Sequence, residues 1–486
     1  MMHHGLMLFV LLSRVASETI AVTADGTTTG PPTLVTMGEA MLRFAPVDDG
    51  PVADPTRHTP HPFLRSLGGD ELNVAVALRL VGAAARWISV LPTGPLGDVV
   101  AASCAHYNIS FAGQRVKGAE MGTFFVIPEA RTVHYQRRNS AFALHEPNAL
   151  EWHGLLAAPR PWLHVTGITP AISPAARASW ENAVAQAAQD SIPTSCDLNH
   201  RKQLGTLAEL WAIVSPYASG FELLILSIDQ LNGLGEIEGL DAALWPVAHD
   251  APDEAVFELM AALQLRIRCA RLALCRKVRD AATGVQRRWS VLTMLPLDVS
   301  RSSAESPLRY STYDEPVYHT PLEELGGGSA WAAGMLHALH FEPLDHPLRC
   351  MRRADLLASL CQQSAGDFST VSAAQLREHE RRFNGRAATL PPPSPPSATG
   401  LSRPSATSAA AAAPTHADVQ EAAAVEAKLD ATLTALRAAK VVGIIRAKGA
   451  VDVAVARGLE LAELGYRAIE VTLDSSDWPV RPRAHP

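Results

Sequence analysis

From Leu34 onward, short apolar runs alternate with stretches of helical periodicity, and this alternation constrains the fold more than any other feature of the chain. Leu34–Met37 reads as a buried strand ending at Gly38, Asn73–Leu80 as a helix and Trp87–Leu91 as the next strand. Ala101–His106 falls in another helix, and Ala175–Gln189 in a longer one. Trp162–Thr166, Thr194–Leu198 and Leu223–Leu226 are further strand candidates. Continuous apolar strands separated by helices imply a doubly wound α/β body, its mostly parallel sheet covered on both faces. The 486 residues are 47% hydrophobic and 19% charged, enough for a large core plus an appendage.

The appendage is announced by composition. Residues 386–414 form a Pro/Ser/Ala linker, with Pro391-Pro392-Pro393-Ser394-Pro395-Pro396 denying backbone donors and favouring extended chain. Beyond it, residues 415–486 read as a short second unit. Thr415 and Asp418 suit the start of a helix reaching about Lys440, followed by a strand at Val441–Arg446, a helix at Val451–Leu464 and a strand at Arg467–Leu473.

Residues 1–32 read as a leader. Leu6–Leu12 is apolar and Val15-Ala16-Ser17 could follow as a cleavage site, a pattern that fits either an organelle-entry or secretory segment or an unstructured leader. The expected location is cytoplasmic or organellar. The run is too short to span a membrane.

A formal net charge of −7 gives no electrostatic reason to expect nucleic acid or an anionic membrane as partner. Against that average, Arg266, Arg268, Arg271, Arg276, Lys277 and Arg279 crowd together, with Arg287 and Arg288 beyond. They read first as a solvated surface, and second as a basic rim beside a phosphate site. The six cysteines show no zinc spacing or disulfide framework, so reduced thiols are expected and no metal ligands are assigned.

Two glycine-rich helix starts carry the chemistry. Gly326-Gly327-Gly328-Ser329-Ala330-Trp331-Ala332-Ala333-Gly334 enters an Ala-rich helix. Glycine permits close backbone approach, and a helix start offers unpaired N–H groups to an anion. Leu67-Gly68-Gly69-Asp70-Glu71-Leu72-Asn73 is the second such start.

These segments resemble the two signatures of the PfkB (ribokinase-like) sugar kinases, most closely those of 2-keto-3-deoxygluconate kinases. Gly38–Arg43 resembles the family's opening strand, and Gly366-Asp367-Phe368 its closing segment. Val133–Ala143, Gly167–Ser173 and Cys196–Arg201 are similar to substrate-side segments of the same kinases. The resemblance implies a ribokinase-like fold with a small β lid, built from Phe44–Pro62 and Phe124–Tyr135, over residues 33–385. Through that lid it implies a homodimer. It implies ATP and Mg2+ as cofactors, an anion hole on Gly326, Gly327 and Gly328, and substrate contacts from Gly69, Asn73, Tyr135, Arg137 and Arg201. Guanidinium groups suit the carboxylate of a sugar acid. Ser227, Asp229 and Arg276 fall at the nucleotide side.

The chain departs from the family at three points. Ser329 stands where the family has its catalytic Asp base, Phe124 where it usually has Tyr, and Ser227-Ile228 where it has a polar pair. Three readings therefore stand: a 2-keto-3-deoxygluconate kinase, a pseudokinase that binds sugar acid or nucleotide without turnover, and a kinase of a neutral sugar such as fructose or ribose. The C-terminal unit resembles the start of 2-keto-3-deoxy-6-phosphogluconate aldolase, with Arg446 and Glu470 at matching positions. Two strands make only a partial (β/α) barrel fragment, without the Schiff-base lysine, so no aldolase activity is expected. A truncated gene model would account for the abrupt end.

Overall fold

The computed structural model describes residues 30–47, 62–127, 132–296, 306–344, 346–387, 444–447 and 470–473. The chain divides into two units, Met1–Pro392 and Pro393–Pro486.

In the first unit the strands are β1 (Thr33–Met37), β2 (Met41–Pro46), β3 (Phe63–Gly68), β4 (Ala84–Pro92), β5 (Ser110–Val116), β6 (Thr123–Ile127), β7 (Thr132–Gln136), β8 (Pro161–Thr166), β9 (Thr194–Asp197), β10 (Phe221–Leu226), β11 (Arg271–Arg279), β12 (Gln286–Met294), β13 (Leu308–Ser311) and β14 (Val317–His319). The helices are α1 (Asp70–Leu80), α2 (Pro95–His106), α3 (Trp152–Leu156), α4 (Ile168–Ile172), α5 (Pro174–Gln189), α6 (Leu207–Val214), α7 (Ile228–Ile237), α8 (Asp253–Ile267), α9 (Gly327–Leu336), α10 (Pro347–Cys361) and α11 (Ala373–Ala387).

Ten strands form one mixed sheet in the order β13-β12-β11-β10-β9-β8-β1-β4-β5, with β14 also paired to β12. From β11 to β5 every pairing is parallel, and β12 turns antiparallel against β11, β13 and β14. Alternate residues of the central strands serve opposite faces, as the pleat demands. Val35, Leu163, Leu224 and Leu272 enter a core with Trp180 of α5, Trp211 of α6 and Leu259 of α8. Their neighbours Leu34, Trp162, Leu223 and Ala273 pack on the other face with Val74 of α1, Trp331 of α9 and Met351 of α10. Burial on both faces is why these strands read as unbroken apolar runs.

Helix boundaries follow local chemistry. Ser173 accepts from the Ala176 N–H at 3.1 Å ahead of Pro174, which starts α5 one residue earlier than the sequence pattern does. Thr206 and Glu209 make a reciprocal cap on α6.

A second sheet of four strands, in the order β3-β2-β6-β7, forms the lid. Of the expected lid segment Phe44–Pro62, Phe44–Pro46 form the end of β2. Residues 48–61 lie outside the described residues, and the returning strand is β3, which pairs antiparallel with β2. Phe44 stacks on Phe125 at 5.1 Å, and Phe63 meets Phe125 edge-on at 6.0 Å, so three aromatic rings hold the sheet's outer end.

In the second unit β15 (Ile444–Ala447) and β16 (Glu470–Leu473) pair in parallel, Ile444 opposite Glu470. The expected helices of that unit, the 386–414 linker from residue 388 and the leader to residue 29 lie outside the described residues. No helix among the described residues is long and apolar enough to cross a membrane. The six cysteines form no disulfide among the described residues, and five are buried.

The tightest helix contact is that of α9 on α10. A Cβ on Gly334 would lie 2.7 Å from Ala354 Cα and 3.0 Å from the Arg353 carbonyl oxygen, both backbone atoms that cannot step aside. Gly334→Val is expected to cost about 3 kcal/mol or more by this overpacking. A lowered urea midpoint checks it; an unchanged midpoint would mean the two helices part freely.

Candidate active site

The order of the main sheet reverses at β1: strands β4 and β5 extend one way, β8 to β11 the other. Crevices form outside the carboxyl ends of strands at such a point. A cavity of about 440 Å³ opens there, lined by Glu39 after β1, Asp197 and Asn199 at the end of β9, and Leu226 and Ser227 at the end of β10. A larger hollow of about 1210 Å³ lies under the lid, and the two share Val133, Tyr135, Arg137, Ile168 and Arg201.

Two helices begin at this cavity. Gly69 precedes α1 with φ +144°, and Gly326 precedes α9 with φ +76°; neither helix has a side-chain cap. A Cβ on Gly69 would sit 2.4 Å from the Glu39 carbonyl oxygen, and one on Gly326 would sit 2.3 Å from that of Asp367. Only glycine satisfies both the dihedral and the contact. The first-turn N–H groups are thus left for another partner. Gly326, Gly328 and Ser329 line the cavity, and the space a Gly328 Cβ would occupy is open. Gly327 does not line it: a Cβ there would meet the Gln362 amide at 2.7 Å. Gln362 braces the turn, its Nε2 donating to the Glu324 carbonyl at 2.8 Å while its Oε1 accepts from Arg288 at 2.6 Å.

At the lid side, Gly69, Asn73, Phe124, Tyr135, Arg137 and Arg201 all line the cavity. Asn73 is 5% exposed, and its Oδ1 has no hydrogen-bond partner among the described residues. A buried, unpaired acceptor facing a cavity is costly unless a ligand donor meets it. Phe124 is buried against Tyr135, ring centroids 5.7 Å apart, and the Arg137 guanidinium lies 4.7 Å over the Tyr135 ring. Arg137 Nε also faces Glu39 at 3.4 Å. Burial raises the Glu39 carboxyl, opposed by Arg137 and by a hydrogen bond from Ser140. Arg201 is exposed and forms no ion pair within 4 Å among the described residues.

On the other side the expected residues separate. Ser227 lines the cavity but caps α7, its Oγ accepting from the Gln230 N–H at 3.2 Å. Asp229 turns to solvent and pairs with His249 at 2.9 Å. Arg276 does not reach the cavity. It is 3% exposed, pairs with buried Asp253, donates to the His249 and Ala251 carbonyls at 2.8 Å and lies 4.8 Å over Trp289. Strand alternation turns Arg276 to the opposite face, and its neighbours Cys275 and Lys277 face the cavity instead. Lys277 and Arg288, members of the basic cluster, are the cations at this rim, and Lys277 pairs with Glu324 at 3.2 Å.

Several carboxyls converge behind the glycines. Ser329 Oγ donates to Asp70 Oδ1, and Asn199 Nδ2 donates to Asp70 Oδ2. Glu71 is buried; Thr166 and Thr169 donate to its Oε1 at 2.7 Å each. Burial first, then the charge of Asp70, pushes Glu71 up to about 7. The same two causes raise Asp197, against the pull of Arg201. Burial pushes Asp367 up to about 7 although Arg43 Nε lies 3.0 Å away. Arg43 also binds Glu323, whose other oxygen accepts from the Gly366 N–H at 2.7 Å. Sequence reasoning missed Asp70, although it lies within the quoted glycine motif, and reached Lys277 and Arg288 only through its second reading of the basic cluster.

Glycine-started helices meeting at the switch point of a mixed sheet under a four-stranded lid define the ribokinase-like class of fold. Residues 32–225 match the pfkB family carbohydrate kinase model. The 2-dehydro-3-deoxygalactonokinase of Haloferax volcanii is 25% identical over 210 residues, 42% of this chain and 64% of that protein's length. The crystal structure of the 2-dehydro-3-deoxygluconokinase of Thermotoga maritima superposes with a TM-score of 0.59 at 22% identity, covering 72% of this chain and 99% of that one. A candidate ribokinase II of E. coli, solved with ATP and Mg2+, superposes with a TM-score of 0.54 at 14% identity, covering 72% of this chain and 99% of that one.

Arg276→Met leaves Asp253 in the core without its ion-pair partner, with the hydrogen bonds from Trp289 and Ser311 left to offset its charge. It is expected to cost about 3–5 kcal/mol of stability in urea titration. Glu71→Gln tests the raised carboxyl. A folded value of about 7 against an ordinary 4.5 means wild-type stability is full below about pH 4.5 and lost as pH rises through 7. The Gln variant lacks that loss, so it should exceed wild type at pH 8, by at most about 3 kcal/mol, and the gap should close at pH 4.5.

Proposed function

We propose that this protein transfers the γ-phosphoryl group of MgATP to a hydroxyl of a sugar acid of the 2-keto-3-deoxygluconate class. The observation that carries the reading is one cleft with two different ends. One end presents the uncapped start of α9 on Gly326 and Gly328, beside the cations Lys277 and Arg288. The other presents the unpaired Asn73 Oδ1 with Arg137 and Arg201. Backbone N–H groups and a positive helix end suit a transferring phosphoryl group, and guanidinium groups suit a carboxylate. In such a transfer the protein chiefly positions reactants and stabilises charge.

The roles follow from the surroundings. The Gly326–Gly328 turn cradles the phosphoryl oxygens, with Gly327 held in register by Gln362. Arg201 meets the carboxylate, Asn73 accepts from a sugar hydroxyl, and Tyr135 with Phe124 walls the site against water. Arg137, shared with Glu39, orients Tyr135 and contributes positive charge. Mg2+ carried with the nucleotide would supply neutralising charge on its phosphates, and no side chain among the described residues is assigned to hold it. Ser227 lines the cleft while capping α7, Asp229 pairs with His249 at the surface, and Arg276 is structural. The names of the Haloferax volcanii and Thermotoga maritima proteins favour a sugar acid over fructose or ribose, as does the aldolase resemblance of the C-terminal unit. Pairing of two copies through lids is also proposed: Leu64 on β3 is 57% exposed beside the Phe44–Phe63–Phe125 cluster. Ser329 in place of a carboxylate favours the second reading, a pseudokinase that binds without turnover.

ADP release by the full chain with MgATP tests the reading. Turnover with 2-keto-3-deoxygluconate should exceed that with fructose or ribose, and Arg201→Met should raise the sugar-acid KM about tenfold or more with little change in the KM for ATP. Preferred turnover of ribose or fructose would overturn the sugar-acid assignment. Binding of the sugar acid without turnover would establish the pseudokinase.

A further inference from the structure

A neutral serine hydroxyl cannot by itself hold the proton that a sugar hydroxyl gives up on phosphorylation, and Ser329 is where that proton must first go. The surrounding carboxyls can be sorted by what already holds them. Glu323 is bound by Arg43 and the Gly366 N–H, and Asp367 by Arg43. Glu324 is paired with Lys277 and Arg279 at 3.2 and 3.1 Å. Glu71 lines the cavity but accepts from Thr166 and Thr169, and Asp197 accepts from the Asn199 N–H at 3.1 Å. Asp70 is different. It shares the cavity lining with Glu39, Glu71, Asp197, Glu324 and Asp367, but among the described residues it is the carboxylate that accepts the Ser329 hydroxyl proton, while Asn199 Nδ2 fixes its other oxygen. It opens α1 immediately after Gly69, and Ser329 lies in the first turn of α9, so the two helix starts bring the pair together.

We propose that Asp70 is the terminal proton acceptor of the transfer, reached through the Ser329 hydroxyl; this rests on the kinase reading above. The sugar oxygen forms its bond to the γ-phosphorus as the bond from that phosphorus to the β,γ-bridging oxygen breaks, its electron pair leaving with ADP. The sugar hydroxyl proton passes to Ser329 Oγ while the Ser329 proton passes to Asp70 Oδ1. Asp70 returns it to solvent once product leaves, and Ser329 ends as it began. A carboxylate has thus moved from the α9 start to the α1 start, with a hydroxyl bridging the gap.

The test uses the full chain, MgATP and 2-keto-3-deoxygluconate, with ADP release read at saturation. Asp70→Asn should lower kcat about 10²-fold or more and leave both KM values within about threefold. Ser329→Ala should lower kcat likewise, because the link is cut. Ser329→Asp placed on Asp70→Asn should restore most of the lost kcat, since the carboxylate then faces the sugar directly, a recovery no purely structural role would produce. With an active unmodified protein, Asp70→Asn within about twofold of its kcat overturns the assignment and leaves the kinase standing. A loss expressed only in KM also overturns it, making Asp70 a binding residue. No turnover by the unmodified protein overturns both, and activity gained by Ser329→Asp alone would then identify a kinase scaffold that lost its acceptor.

Discussion

The carbonyl oxygens of Glu39 and Asp367 press against Gly69 and Gly326, at distances no Cβ could tolerate. Each contact fixes where a helix begins, and the two helices so started, α1 and α9, pack against each other across one face of the sheet. Everything in the cleft is placed from these two points. The N–H groups of α9 face the cavity because its cap is a glycine without a side chain to satisfy them. Asp70 and Ser329 meet because each lies in the first turn of its helix.

The clamp that holds this geometry is ionic and comes from far apart in the chain. Arg43 on β2 reaches both Glu323, just before the glycine turn, and Asp367, whose carbonyl fixes Gly326. Lid, glycine turn and closing segment are therefore tied by one guanidinium. With one partner removed the others would be left as buried charges, an arrangement that favours integrity of the site over raw stability.

Much of this was legible in the sequence. Apolar runs at Leu34, Trp162 and Leu223 gave the sheet because strands buried on both faces need no alternation, and glycine runs marked helix starts where close approach is unavoidable. Arg276 misled because the side of a strand cannot be read from charge alone: a one-residue offset separates a buried pair with Asp253 from the rim cation Lys277. Asp229 misled for a related reason, since the capping box of α7 turns it outward. Asp70 was in view but had no visible role, because its partner Ser329 stands 259 residues away and only the packing of two helices joins them. The lid's β3 begins at Phe63, just beyond the Phe44–Pro62 segment that the resemblance implied.

The buried carboxyls give the cleft a property beyond shape. Glu71 and Asp367 change protonation near pH 7, with Asp197 raised by the same causes, whereas the formal charge of −7 counts all three as ionised. The cavity consequently carries less negative charge than its acidic residues suggest. An anion arriving beside these raised carboxyls would favour their protonated forms, so its entry would draw protons from the medium.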